Sequence, residues 1–136
     1  MTKRVLLIGV EKSEGELLAV HLGKDDYRVE CYDEPEFCPV YAGNDCTQTT
    51  PCADFLILYH HLRRKEALEH LKMYKSKCPG SMSRVALLAS VMSPGELVGA
   101  LELGCKVLFK PFRVEEVENW IREVSVHDDT STLQAR

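Results

Sequence analysis

The chain has 136 residues, 45% of them hydrophobic, which is enough for one globular core and too little for two ordinary domains. A formal net charge of -4, with the cations scattered along the chain, excludes the basic stripe by which proteins bind nucleic acids. Only six uncharged residues separate Arg4 from Glu11, too few for a secretion signal or a membrane span. We therefore expect a cytoplasmic protein without a nucleic-acid or membrane partner.

The first elements alternate between strand and helix. Residues 4–10, RVLLIGV, form a continuous apolar run, which is typical of a parallel strand buried on both faces. Ser13 and Glu16 have the spacing of a capping box, so we predict a helix that begins there and ends at Gly23. The residues expected on its buried face are Leu17, Leu18 and Leu22.

The next segment is a strand followed by an irregular stretch. Residues 27–32, YRVECY, alternate between apolar and polar, which predicts a second strand with Cys31 pointing inward. Residues 34–52 are rich in Pro, Gly, Asn, Asp and Thr and show no helical period. This stretch takes the place of the helix that usually connects parallel strands.

The rest of the chain repeats the alternation. We predict strands at 54–59, 85–90 and 106–109 and helices at 63–77, after Ser93, and from Val114 to Val124. The second of these helices has the clearest boundaries, because Ser93 and Glu96 form a capping box around Pro94, and Gly104 follows as a helix end. Residues 127–136 are polar and aperiodic.

Five strands alternating with helices predict a doubly wound α/β fold with a parallel sheet. We expect one domain over residues 1–126 and a flexible tail over 127–136. In such folds the chemistry collects at the carboxyl ends of the strands. The candidate residues there are Gly9, Val10, Glu11, Tyr59, His60, His61, Ala89, Ser90, Lys110 and Pro111.

Three stretches carry a resemblance to a known family: RVLLIGVE, ADFLILY and ALELGCKVLFKPF. Together they resemble the response-regulator (CheY-like) receiver domain over residues 3 to about 125. The resemblance implies a flavodoxin-like five-stranded sheet in the order 2-1-3-4-5 and a role in phosphorelay signal transduction. It also implies that Lys110, before a cis-proline at Pro111, contacts a phosphoryl group.

The sequence departs from this family at the phosphorylation site. The family has an acidic pair after the first strand, where this chain has Gly9 and Val10, followed by Glu11. Tyr59 stands at the place of the acceptor aspartate. The hydroxyl residue expected after the fourth strand falls at Ala89, with Ser90 one position late; we therefore predict a disabled site with no magnesium.

Four residues near this site have alternative interpretations. Lys110 would pair with Glu11 or extend to water when no phosphate is present. His60 and His61 begin a loop, where they would be solvated, sense pH, bind a metal or contact a partner. Trp120 would pack in the core or contact a partner protein, and that partner would be a signalling protein or a second copy of the chain.

The cysteines offer a second site. Cys52, Cys78 and Cys105 precede neighbouring strands, and Cys38 and Cys46 lie on the irregular stretch. Four of these thiols could hold a structural zinc, although the spacing lacks the C-x2-C knuckle of zinc sites, and free thiols remain the alternative.

Three functions follow from these patterns. We expect a stand-alone atypical receiver, a pseudo-receiver that acts as a non-enzymatic protein-interaction module without aspartyl phosphorylation. The alternative is a zinc-binding or redox sensor that works through its cysteines on the same scaffold. A C-x5-R match beginning at Cys78 would indicate a phosphatase, but it runs from a helix into a strand, which is the wrong direction for a phosphate loop.

Overall fold

A computed structural model describes residues 3–33, 53–62, 66–78 and 81–134, with side chains as far as residue 125. The predicted irregular stretch at 34–52 lies outside these ranges. The strands are β1 (Lys3–Ile8), β2 (Tyr27–Tyr32), β3 (Phe55–Tyr59), β4 (Val85–Ala89) and β5 (Lys106–Phe109). The helices are α1 (Lys12–Gly23), α2 (Ala67–Lys77), α3 (Pro94–Leu103) and α4 (Val114–Gln134).

The five strands form one parallel sheet in the order β2-β1-β3-β4-β5, as predicted. β1, β3 and β4 occupy the centre of the sheet, and nearly all of their residues are buried. This burial on both faces explains why these strands appear in the sequence as continuous apolar runs rather than as alternating patterns. β2 and β5 form the edges.

Helices cover both faces of the sheet. On one face, α2 and α3 pack against alternate strand residues, among them Leu58 and Leu87. On the other face, α1 and α4 pack against Ile57 and Leu88. The alternation of neighbouring strand residues between the two clusters is the period-two geometry of a strand, so each central strand contributes to both halves of the core.

The ends of α3 are those that the sequence predicts. The Ser93 side chain accepts a hydrogen bond from the backbone N–H of Glu96 at 3.2 Å, and the Glu96 carboxylate accepts one from the backbone N–H of Ser93 at 3.0 Å. At the other end Gly104 has φ of 92°, the left-handed conformation that favours glycine. The capping box and the helix end are therefore confirmed.

The beginning of α1 was predicted wrongly. The helix starts at Lys12 with Glu11 at the N-cap position, and no side chain caps it, so Ser13 lies inside the first turn. The buried residues are Gly15, Leu18 and Leu22, whereas Leu17 is 50% exposed. A Cβ at Gly15 would lie 3.3 Å from the sulfur of Cys31 and 3.8 Å from Leu7, so the helix lies close to the sheet here. This close approach at Gly15 places Leu17 outside the core.

Three further predictions differ from the structure. The helix predicted at 63–77 begins later, at Ala67, because Glu66 has an extended backbone. Cys31, on the edge strand β2, is exposed as a residue rather than buried, although its sulfur faces Gly15 of α1. The last helix continues to Gln134, through most of the segment that was expected to be a tail. A formed helix gains one hydrogen bond for each residue that it adds, so α4 extends through polar residues without a new apolar face. Among the described residues, no helix has the length and apolar character to cross a membrane.

Candidate functional site

The carboxyl ends of the central strands and of β5 meet at one edge of the sheet, where the structure brings the predicted site residues together. The Tyr59 hydroxyl, at the end of β3, lies 3.3 Å from the hydroxyl of Ser90, which follows β4. The Lys110 ammonium, directly after β5, lies 4.4 Å from the centroid of the Tyr59 ring. A cation over an aromatic face is an attractive contact, so Lys110 and Ser90 both engage the tyrosine.

The Lys110 ammonium is also paired with carboxylates of α1. It lies 3.0 Å from Glu14 and 3.7 Å from Glu11, and the lysine side chain is only 16% exposed. The pairing with Glu11 was predicted, whereas Glu14 was missed, although its spacing of three residues from Glu11 places both on one helix face. The peptide bond between Lys110 and Pro111 is cis, as the family resemblance implies.

The loop after β1 has no side-chain oxygen at its first two positions. Gly9 has φ of 71°, and a Cβ added there would lie 2.9 Å from Leu62. Val10 packs against the apolar cluster on the α1 and α4 face. Since magnesium requires several oxygen ligands, and Glu11 lies beside Lys110, these residues do not fit a magnesium ion of the kind that receiver domains hold.

His60 is buried rather than solvated. Its backbone N–H donates to the carbonyl of Leu88 at 2.8 Å, and its own carbonyl accepts from Ala67 at 3.0 Å, so the chain stays bound to β4 and to α2 here. The ring is 1% exposed, and its Nε2 lies 2.7 Å from Glu96. The prediction of a solvated loop histidine is therefore wrong for His60, because the polypeptide remains attached to the sheet one residue beyond β3.

His61 is half-exposed, and it lies beside its neighbour. The two imidazole centroids are 4.4 Å apart, and His61 Nδ1 lies 2.7 Å from Glu66 at the N-terminus of α2. An isolated antiparallel bridge between His61 and Glu66 fixes the two backbones next to each other. In the sequence, Glu96 was predicted only as part of the capping box of α3 and Glu66 was not singled out, because no local pattern connects either glutamate to the histidines.

Hydrogen bonds hold the Glu96 carboxylate in its charged form. The backbone N–H of Ser93, then its hydroxyl group, and to a smaller extent His60, lower the pKa of Glu96 below its usual range. The Glu96 carboxylate therefore has two partners. One oxygen accepts a hydrogen bond from the backbone N–H of Ser93, and the other lies beside His60 Nε2. The cap of α3 therefore orients the carboxylate toward the end of β3.

Solved structures similar to this chain are receiver domains. A CheY-like response regulator receiver protein from Methanospirillum hungatei superposes with a TM-score of 0.72 and 18% identity, covering 96% of this chain and 99% of that one. The HemR receiver domain of Leptospira biflexa gives 0.68 and 23%, covering 90% and 94%. The beryllofluoride-activated NtrC4 receiver domain dimer gives 0.70 and 21%, covering 90% and 95%. No protein-family model and no curated protein sequence matches the chain.

The chain has the fold of a response-regulator receiver domain. The strand order and the coverage of nearly the whole neighbouring chains agree with the resemblance drawn from the sequence. Within this receiver fold, Tyr59 occupies the end of the third strand and Lys110 the end of the fifth. Both side chains therefore lie at the carboxyl edge of the sheet, as the sequence analysis predicted.

Trp120 of the receiver fold belongs to the core. Its side chain is 4% exposed, and its ring packs edge-on against Phe55 of β3 at 5.5 Å between centroids. The prediction of a partner contact at Trp120 is wrong, and the alternative of core packing is right. Trp120 lies on the wide apolar face of α4, which packs toward β3.

The cysteine site is only partly covered by the described residues. Cys38, Cys46 and Cys52 lie outside them, so a zinc site that includes them stays a prediction. Cys78 and Cys105 both pack at the apolar cluster on the α2 and α3 face. The Cys105 thiol donates to the carbonyl of Ala100 at 3.2 Å, and burial raises its pKa. Both observations describe Cys105 as a buried thiol rather than a ready thiolate.

Proposed function

We propose that this chain is an atypical receiver that transmits a signal by binding another protein, without aspartyl phosphorylation and without enzymatic turnover. The observation that carries the proposal is Tyr59, a phenol bonded to Ser90 and covered by the Lys110 ammonium at the position of the acceptor. An aspartyl nucleophile needs a metal ion to neutralise the incoming phosphoryl group, and Gly9 and Val10 supply no ligand for one.

The pairing of Lys110 gives the proposal independent support. Its ammonium lies 3.0 Å from Glu14 in a largely buried setting, so its charge is already compensated. A lysine that is paired in this way stabilises the contact between β5 and α1 and is not available to bind a phosphoryl group. Lys110 and Glu14 therefore form a fixed contact at the edge of the sheet where other receivers are phosphorylated.

The exposed apolar side chains give a candidate partner surface. We define the α3–β5 face by Val98 and Leu101, on one side of α3, and Phe109 at the end of β5; they are 53%, 59% and 44% exposed. Phe109 lies on the same side of the sheet as Val107, which packs with the α2 and α3 cluster. The corresponding helix and strand form the usual output surface of receiver domains, and NtrC4, a structural neighbour, is described as a receiver domain dimer.

Chemical phosphorylation tests the first half of the proposal. We expect no change in intact mass when the protein is incubated with acetyl phosphate and magnesium, and no binding of beryllofluoride by fluorine NMR. A receiver domain with its acidic residues intact serves as the positive control. A magnesium-dependent gain of one phosphoryl group on an aspartate or glutamate would contradict the proposal.

Paired surface variants test the second half. Leu101→Asp places a charge on the α3–β5 face, and Leu17→Asp places the same charge on α1, where the leucine is 50% exposed. We expect only Leu101→Asp to weaken association, either with a second copy, measured by light scattering over a range of concentrations, or with a captured partner. Equal behaviour of the two variants would show that this face is not the binding surface.

A further inference from the structure

The strongest unassigned feature is a group of four side chains directly beyond Tyr59. It joins His60 and His61, which follow β3, to Glu66 at the start of α2 and Glu96 in the first turn of α3. Glu66 Oε2 lies 2.7 Å from His61 Nδ1 and 3.8 Å from His60 Nε2. Glu96 Oε2 lies 2.7 Å from the same His60 nitrogen. The ligand atoms of His60, His61 and Glu66 lie within 4.8 Å of one another, and Glu96 joins this group through its contact with His60.

From this convergence we propose a zinc-binding site formed by His60, His61, Glu66 and Glu96. It does not depend on the protein-interaction role, and it is separate from the cysteine site predicted from the sequence. Its ligands are the imidazole nitrogens and carboxylate oxygens that zinc accepts in tetrahedral sites.

Three of the separations between these ligand atoms are close to those of a tetrahedral zinc site. Zinc bonds of about 2.0–2.2 Å to nitrogen and oxygen place neighbouring ligand atoms about 3.3–3.6 Å apart in a tetrahedron. His60 Nε2 lies 2.7 Å from Glu96 and 3.8 Å from Glu66, and His61 Nδ1 lies 2.7 Å from Glu66. The ligand atoms of His60, His61 and Glu66 all lie within 4.8 Å of one another. Changes of less than about 1 Å would bring these three separations to tetrahedral spacing, and a larger rotation of the partly exposed Glu96 side chain would bring its carboxylate into the fourth position.

The site is held rigid on one side and open on the other. His60 is 1% exposed, with its backbone bonded to β4 and α2, and one oxygen of the Glu96 carboxylate is bonded to Ser93. Among the described residues, His60 Nδ1 has no hydrogen-bond partner, so the polar interactions of this buried ring are all directed into the cluster. His61, Glu66 and Glu96 are 54%, 44% and 39% exposed, which gives an ion a path from solvent.

Charge and ligand type select the metal. Two neutral imidazoles and two carboxylates carry a total charge of -2, which a divalent cation neutralises. Magnesium and calcium prefer sets of oxygen ligands, whereas imidazole nitrogens favour zinc and its transition-metal neighbours. Because the four ligands come from the end of β3, from α2 and from α3, a bound ion would connect three elements at the edge that carries Tyr59.

Metal titration of the full chain tests the site, with the exposed ligands changed first because His60 is part of the core. We expect one zinc ion per chain by competition with a chromophoric chelator. His61→Ala and Glu66→Gln should each weaken binding at least about tenfold, since each removes a ligand. The control His21→Ala, a histidine of α1 outside the cluster, should bind as the unchanged protein does. Binding unaffected by both ligand variants, or no binding, would overturn the site.

Cobalt(II) separates this site from the cysteines. Coordination by nitrogen and oxygen gives weak visible bands, whereas a thiolate ligand adds an intense charge-transfer band in the near ultraviolet. We expect the first equivalent of cobalt to give the visible bands alone, and to lose them in the His61→Ala variant. A thiolate band at the first equivalent would place the metal on the cysteines and overturn the proposal.

Discussion

At the scale of single residues, the backbone conformation and the close neighbours of Gly9 both require a glycine. Its φ of 71° is strained for any residue with a side chain, and a Cβ would lie 2.9 Å from Leu62. We expect Gly9→Ala to lower the free energy of unfolding by about 1–3 kcal/mol. Gly23→Ala is the matched control, because Gly23 has open space around it and should change stability little or raise it slightly. Urea unfolding followed by circular dichroism measures both, and equal losses would contradict the argument.

Two thiols should differ in reactivity for reasons of environment. Burial raises the pKa of Cys105, and the residue is 5% exposed. The pKa of Cys31 is raised as well, by burial of its sulfur and then by the Glu16 carboxylate, although the residue as a whole is exposed. Since the thiolate is the nucleophile, alkylation of Cys31 should be slow at neutral pH and accelerate as pH rises, while Cys105 reacts only after unfolding.

Peptide mapping by mass spectrometry after timed alkylation distinguishes the two thiols. Unfolded protein provides the control, because both cysteines should then react at similar rates. Rapid labelling of Cys105 in the folded protein at neutral pH would show that the thiol is more accessible than its surroundings imply.

At the scale of elements, the two helix starts with Ser-x-x-Glu spacing behave differently. Ser93 and Glu96 form both bonds of the capping box at α3, whereas Ser13 lies inside α1 and forms no cap. We expect Ser93→Ala to lower the free energy of unfolding by about 1 kcal/mol and Ser13→Ala to change it by less than about 0.5 kcal/mol. Thermal or urea unfolding measures the difference. Equal effects would mean that the cap of α3 does not contribute to stability.

The same comparison explains what the sequence can predict about elements. The spacing of Ser93 and Glu96 predicts the start of α3 correctly, because Pro94 and Gly104 indicate the same helix independently. At α1 the local pattern of Ser13 and Glu16 competes with a tertiary requirement, which is the packing of Gly15 against β2. No local pattern contains that contact, so the predicted start and the predicted burial of Leu17 were both wrong.

At the scale of the whole molecule, we expect stability to depend strongly on the packing of α4 against β3. Phe55 packs edge-on against Trp120 of α4 and against Tyr27 of β2, so one ring joins three elements. We expect Trp120→Ala to lower the free energy of unfolding by about 3–5 kcal/mol, and the exposed Glu123→Ala to lower it by less than about 0.5 kcal/mol. Circular dichroism during urea unfolding measures this, and a small loss for Trp120→Ala would contradict core packing.

The fold was predictable because its signals are redundant along the chain. Buried strands, two helix ends and the Lys110-Pro111 segment all indicate one architecture, and the sheet order follows from the family resemblance. The candidate site was predictable only in part. Tyr59, Ser90 and Lys110 lie at strand ends and were found, whereas Glu66 and Glu96 come to the histidines through the packing of α2 and α3. Contacts between side chains distant in sequence leave no periodic signal.

The tight packing around Gly9 also determines how this protein could be re-engineered. Introducing one aspartate at this position would insert a side chain against Leu62 in an unfavourable backbone conformation, while one carboxylate alone could not trap a divalent ion. A designer would therefore have to rebuild the loop after β1, enlarge the space at Leu62 and replace Tyr59 together.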